Sequence, residues 1–263
     1  MKAKLLFVVL IGTSISLLAL REVIAKKVNC HGTSILHLME RTAMAGSDAE
    51  SNAVGSVTLK QNKQGNANNQ RLTIAASSLQ SDTTYQLFAS LRSDTNLTEV
   101  ATFTTDAHGD VKVKYVKKNN GNGNAGGTAL PDALNPISDI LSLAVVNSAT
   151  QTVLSADLTA PDHLQYLIKR CLSNDHVEVG AVASLRIHAT QNSEQFRLLA
   201  SGLTSNATYF LSVNDTIVSD TQADAKGALE IKSLPSSAPD ILDIDSLALQ
   251  NSSSNNVLST TLP

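Results

Sequence analysis

Apolar and polar residues alternate over most of the chain. In DVKVKYV, Val111, Val113 and Tyr115 fall on one side and Lys112 and Lys114 on the other. That period of two is the pattern of a half-buried strand. VASLRIHA, FRLLASGL and YFLSV are short, rich in Val, Leu, Ile and Phe, and bounded by Gly, Asn, Asp and Ser, as strands are. DAHGD and DAKG predict hairpin turns, their glycines supplying a positive φ. Beyond the first residues no segment holds a helical period for long. The pattern predicts an all-β protein.

The pattern is also written twice. ISDILSLAVVNSATQTVLSADL (137–158) lies over ILDIDSLALQNSSSNNVLSTTL (241–262), with Leu143 matching Leu247 and Leu154 matching Leu258. Upstream, QRLTIAASSLQSDTTYQL pairs with EQFRLLASGLTSNATYFL, AVGSVTLK with EVGAVASLRI, TTDAHGDVKV with QADAKGALEI, and LMERTAM with LIKRCLS. A shared register of apolar positions is the mark of internal repetition. The first copy carries two additional stretches, LRSDTNLTEV and KKNNGNGNAGGTALPDALNP, which read as loop insertions. The expected organisation is a signal peptide at 1–25, a first repeat at 26–161 with a long Gly/Asn loop, and a second at 162–263. Roughly seven short strands per copy predict two antiparallel β-sandwiches in tandem.

Each copy places a leucine six residues before a tyrosine. Leu79, Thr83 and Tyr85, and again Leu203, Thr208 and Tyr209, resemble the tyrosine corner of immunoglobulin-like and fibronectin type III sandwiches. The resemblance implies that each tyrosine is a structural latch whose hydroxyl returns to the preceding backbone. It covers these segments alone, and the chain lacks the usual turn proline and any tryptophan. The Gly-Leu-to-Tyr phrase at 202–209 is also similar to the chordin-like repeat of exported bacterial proteins, without its histidine-containing signature.

Composition changes the picture in three places. MKAK followed by LLFVVLIGTSISLLAL and REVIA is the layout of a secretory signal peptide cut after Ala25, and its apolar run is short for a membrane span. The expected location is therefore secreted or periplasmic, with no membrane span once the signal is removed. Loop composition favours a bacterial source. Cys30 and Cys171 are the two cysteines; they form either one disulfide linking the halves or two free thiols. The net charge of −3 gives no reason to expect nucleic acid. Lys112, Lys114, Lys117 and Lys118 read as the solvated face of a strand.

Candidate chemistry is sparse. Six histidines form no HxH or HExxH pair, and CxxC, GxSxG and P-loop motifs are absent. No catalytic residue, metal site or cofactor is expected. Asp240, Asp243 and Asp245 in PDILDIDS offer oxygens to calcium, but alternation would place the last two on a solvated strand edge, which is the simpler reading. Aromatic residues are 3% of the chain, too few for the exposed platforms on which sugar binding usually relies, so carbohydrate recognition is not expected. The best polar cluster lies at the junction of the repeats, with His163, Tyr166 and Arg170 in APDHLQYLIKRC. The same stretch reads as the first strand of the second repeat. The sequence thus favours a non-catalytic exported structural or binding protein, engaging a protein or cell-surface component. The alternative is a small-molecule or ion site, or an enzyme site, at the junction.

Overall fold

The computed structural model describes residue 28, residues 34–117 and residues 127–262. The expected signal segment, Cys30, Lys118 and the Gly/Asn run lie outside these residues. The first half supplies β1 (Ile35–Gly46), β2 (Val54–Gln64), β3 (Ala67–Ser77), β4 (Thr84–Leu91), β5 (Asp94–Thr104), β6 (Val111–Lys117), β7 (Thr128–Ala129), β8 (Ile140–Val146) and β9 (Thr152–Asp157). The second supplies β10 (His163–Asn174), β11 (Val182–Thr190), β12 (Ser193–Ser201), β13 (Thr208–Val213), β14 (Thr216–Gln222), β15 (Leu229–Ile231), β16 (Ser246–Gln250) and β17 (Asn256–Thr261). The protein is all-β, and among the described residues helical structure is confined to three-residue 3₁₀ turns. No helix among them is long and apolar enough to cross a membrane.

One long sheet runs through both halves in the order β7-β6-β3-β2-β1-β10-β11-β12-β15, antiparallel except for β6–β7. A cover sheet of β5-β4-β8-β9 packs beneath the first half, and one of β14-β13-β16-β17 beneath the second. The last residues of β1 and β10 leave the long sheet and pair with β9 and β17. Each half therefore encloses its own apolar cluster. Val57, Leu59, Leu72, Ile74, Tyr85, Leu87 and Leu143 fill one, and Leu185, Ile187, Leu198, Tyr209, Leu211 and Leu247 fill the other. Leu36 and Leu38 of β1 pack with the second cluster, not the first.

Gly46 faces Leu154 just as Asn174 faces Leu258. The same offset carries Leu38 onto Tyr166, and these two residues face each other where β1 and β10 pair. The seam is thus two-fold symmetric about the Leu38–Tyr166 pair. The resemblance of LMERTAM to LIKRCLS is out of register by one residue, because it sets Leu38 over the outward Leu167. A slip of one would turn the whole strand over, and burial of Leu36, Leu38, Leu164 and Tyr166 fixes the correct alignment.

The turns DAHGD and DAKG do not close hairpins. β5 and β14 belong to cover sheets, while β6 and β15 belong to the long sheet, so each turn carries the chain from one layer to the other. Asp106 Oδ1 accepts from the N–H groups of His108 and Asp110, both at 2.9 Å, and Asp224 repeats this with Lys226 and Ala228 at 2.8 Å. Those bonds hold both carboxyls below the usual carboxylate range. Gly109 has φ +76, and a Cβ there would lie 2.0 Å from the Leu79 carbonyl oxygen; Gly227 repeats this at 2.1 Å from Leu203. Gly180 has a similar φ of +89 but open space around it. Gly109→Ala and Gly227→Ala are therefore expected to destabilise by more than about 2 kcal/mol, and Gly180→Ala by about 1 kcal/mol. Urea midpoints of the three variants test this, and equal losses would refute the contact.

Neither insertion is merely a loop. LRSDTNLTEV turns at Arg92 and Ser93 and forms much of β5, the hairpin partner of β4. The second insertion returns to the described residues at Gly127, adds β7, and buries Leu134 completely in the first cluster.

Candidate functional site

Along the long sheet the covered positions take the apolar residues and the alternate positions point outward. Outward positions of the first half carry Arg41, Lys60, Arg71, Lys112 and Lys114, and those of the second carry Lys169, Arg186 and Arg197. Among the described strand residues of this face the only carboxylate is Glu230. The acidic residues lie instead on the cover sheets and their turns, such as Asp94, Glu99, Asp157 and Asp220.

Register then sets like charges side by side. Lys169 faces Arg186, and Arg186 faces Arg197, so three cations sit in one row across three adjacent strands. In the first half Arg71 faces Lys60. Like charges directly opposite each other destabilise a sheet by roughly 0.2–1 kcal/mol per pair. Arg197 is relieved by Glu230, whose carboxylate accepts from its Nη2 at 2.6 Å and its Nε at 2.9 Å. Among the described residues Lys169 and Arg186 have no carboxylate within ion-pair distance. Each cation group borders a hollow in the face. Lys60, Arg71, Lys112 and Lys114 line one of about 890 Å³ with Thr58 and Thr73. Lys169, Arg186 and Arg197 line one of about 450 Å³ with Gln64, Ser184 and Cys171. Among the described residues Cys171 has no disulfide partner.

The residues expected to form a junction site do not converge. His163 is outward and exposed, whereas Tyr166, three residues on, is inward and 7% exposed. Arg170 also points inward, where its Nη1 donates to the Thr261 carbonyl. The junction is itself a strand pair, β1 with β10.

Its covered side holds a different polar group. Glu40 lies there on β1, half-buried, and burial pushes its carboxyl up to about 7 against the opposing pull of Arg92. Burial likewise raises the Tyr166 phenol, and the Thr42 hydroxyl is buried with no hydrogen-bond partner among the described residues. Arg92 spans the halves, its Nη1 donating to Asp243 Oδ1 at 2.6 Å and its backbone N–H to the Asp139 carbonyl at 2.8 Å. Asp243 belongs to the 3₁₀ turn Ile241–Asp243, capped by the Asp240 side chain, and not to a strand edge. No group of three His, Cys, Asp or Glu suited to a metal ion occurs among the described residues.

The two tyrosines sit at matching corners. The Tyr85 hydroxyl accepts from the Gln80 N–H at 3.0 Å and donates to Glu50 at 2.7 Å. The Tyr209 hydroxyl accepts from the Thr204 N–H at 2.8 Å and donates to Glu178 at 2.6 Å. Both rings are fully buried. Burial, together with the neighbouring carboxylate, pushes the Tyr85 phenol up to about 12. Glu50 and Glu178 escaped the sequence reading. Their signal was available: each stands three residues before an alanine, Ala53 or Ala181, that is buried at the start of the next strand.

No family model matches the chain, and neither the curated proteins nor the solved structures give a match.

Proposed function

We propose that the protein is a non-catalytic exported binding module: two tandem immunoglobulin-like β-sandwich domains derived by duplication, divided near residue 161. The outward face of the shared sheet is its contact surface. The observation that carries this reading is the row Lys169–Arg186–Arg197. It opposes folding within the isolated chain and becomes favourable when an anionic partner covers it. The proposed partner is a cell-surface component, and export through the N-terminal signal would bring the two together.

The test compares the mature chain with a Lys169→Glu/Arg186→Glu variant, each immobilised and exposed to extract of the native cell surface. The wild type should retain a component that the variant does not. The same retained set with both proteins would reject the face as the contact surface.

A second reading places a small-molecule or ion site at the junction, and half-buried Glu40 with its carboxyl near 7 favours it. Saturable binding of a small metabolite or cation, lost in Glu40→Gln and retained in the charge-reversed variant, would move the function there.

A further inference from the structure

We infer that the ligand of the outward face is an acidic polysaccharide, a hydroxyl-rich chain carrying carboxylate or sulfate groups, laid across the seam from the first hollow to the second. The inference rests on the reading of this face as the contact surface and adds the chemistry of what it holds.

Three observations lead to this class. The first is the mixture of side chains between the cations. Register places Thr58 beside Arg41 and Thr73 beside Thr58, Gln165 beside Met39, and Ser184 beside Cys171. Asn62 lies opposite His37, and their side chains are hydrogen-bonded. Small hydroxyls and amides donate and accept, which suits sugar hydroxyls, while Lys and Arg meet the charged groups.

The second is the absence of outward aromatic residues among the described strands of the long sheet, since Tyr115 and Tyr166 are both buried. Proteins that hold single-stranded nucleic acid stack bases on such side chains, and this face has none to offer. Exposed apolar side chains are similarly thin: Leu97, Val177, Val179 and Ile217 lie off this face, and Val54, at the very start of β2, is the one large apolar side chain among the described residues that stands well exposed on it. An amphipathic surface that inserts into a bilayer needs large apolar anchors there.

The third is the layout of the two cation groups. Arg71 on β3 and Arg197 on β12 are separated by five strand spacings, and the rows they occupy are offset along the strands. With strands about 4.8 Å apart, these two arginines, at the outer ends of their groups, are roughly 25–30 Å from each other. A short acidic oligosaccharide reaches one group, whereas a long chain engages both, and the second engagement is intramolecular.

The experiment titrates the mature chain with polygalacturonate, dextran sulfate, neutral dextran, duplex and single-stranded DNA, and vesicles containing phosphatidylserine, at two salt concentrations. Arg186→Glu and Lys60→Glu serve as variants, with urea midpoints to show that each is folded. Arg186→Glu converts two repulsive cross-strand contacts into attractive ones, so it should be at least as stable as the wild type. At least one acidic polysaccharide should bind, neutral dextran should not, and the polygalacturonate and dextran sulfate arms decide between carboxylate and sulfate. Affinity for long chains should exceed that for tetramers by at least tenfold, and either variant should bring long chains close to the tetramer value. DNA or vesicles binding as tightly as the polysaccharides would overturn the assignment, as would affinity independent of chain length. If no acidic polysaccharide binds while the charge-reversed variant still loses its surface component, the polysaccharide is wrong and the contact face stands. If neither effect is seen, both readings fall.

Discussion

Tyr85→Ala is expected to lower the unfolding free energy by about 4 kcal/mol, and Tyr85→Phe by about 1–2 kcal/mol. The ring is 0% exposed and stacks on Phe103 with centroids 6.0 Å apart, so alanine leaves a large cavity beside the first cluster. Phenylalanine keeps the packing and removes only the hydroxyl. The Glu50 carboxylate then loses its shortest bond, although the Gln80 N–H can still donate to Glu50 Oε2 at 3.2 Å. Tyr209 should follow the same order, because Thr204 likewise reaches Glu178 directly at 2.8 Å. The corner matters beyond the ring itself. Glu50 belongs to the β1–β2 connection, Gln80 to the β3–β4 crossing, and Gly109 to the β5–β6 crossing, where its carbonyl accepts from Leu79 at 3.1 Å. The phenol therefore ties two chain connections directly, and the Leu79 N–H joins the third to them at the same end of the half. Urea unfolding followed by tyrosine fluorescence reads the effect. A Tyr85→Phe variant as damaged as Tyr85→Ala would show that the hydroxyl, not the ring, carries the stability.

Glu40→Gln should be neutral at pH 4 and stabilising by about 2 kcal/mol at pH 8. The Glu40 carboxyl is raised from an ordinary 4.5 to about 7 in the folded chain. Below 4.5 it is protonated in both folded and unfolded chains and contributes no difference. Between 4.5 and 7 the folded chain keeps a proton that the unfolded chain releases, so stability falls as pH rises through this window. Above 7 the ionised carboxylate is held in a half-buried site and the full penalty is present. Each pKa unit corresponds to about 1.4 kcal/mol, and the remaining solvent contact of Glu40 reduces the total to about 2 kcal/mol. Glutamine carries no charge at any of these values and removes the slope. Urea midpoints of both proteins at pH 4, 6 and 8 measure it, and parallel pH profiles would show that Glu40 is not the group responsible.

Much of the architecture was legible because a strand writes its exposure into alternate letters. Val111, Val113 and Tyr115 could be sided without coordinates, and so could the leucines of FRLLASGL. Pairing was less legible, because it depends on which residue of one strand faces which residue of another. The chance likeness of MER to IKR pulled the alignment of β1 and β10 one place out, and only burial of Leu38 and Tyr166 corrected it. The same limit hid the cationic row. Lys169, Arg186 and Arg197 are scattered in sequence and become neighbours through register, while a net charge near zero conceals that acids and bases occupy different faces. Glu50 and Glu178 were missed because a carboxylate in a connection looks like any solvated charge until a phenol is found beside it. Leu134 was missed because it follows a glycine-rich run that reads as a loop.

The Leu38–Tyr166 axis gives the molecule the form of an isologous dimer whose protomers have been joined into one chain. In such a dimer both contact surfaces must be the same, and whatever lies across the axis can be read equally well from either end. Fusion lifts that requirement. On the outward face Thr58 now stands where the other half has Arg186, and Lys60 where it has His188, so its two ends are free to differ in charge. A polymer lying across it would have a preferred direction, and the protein could tell a chain's beginning from its end.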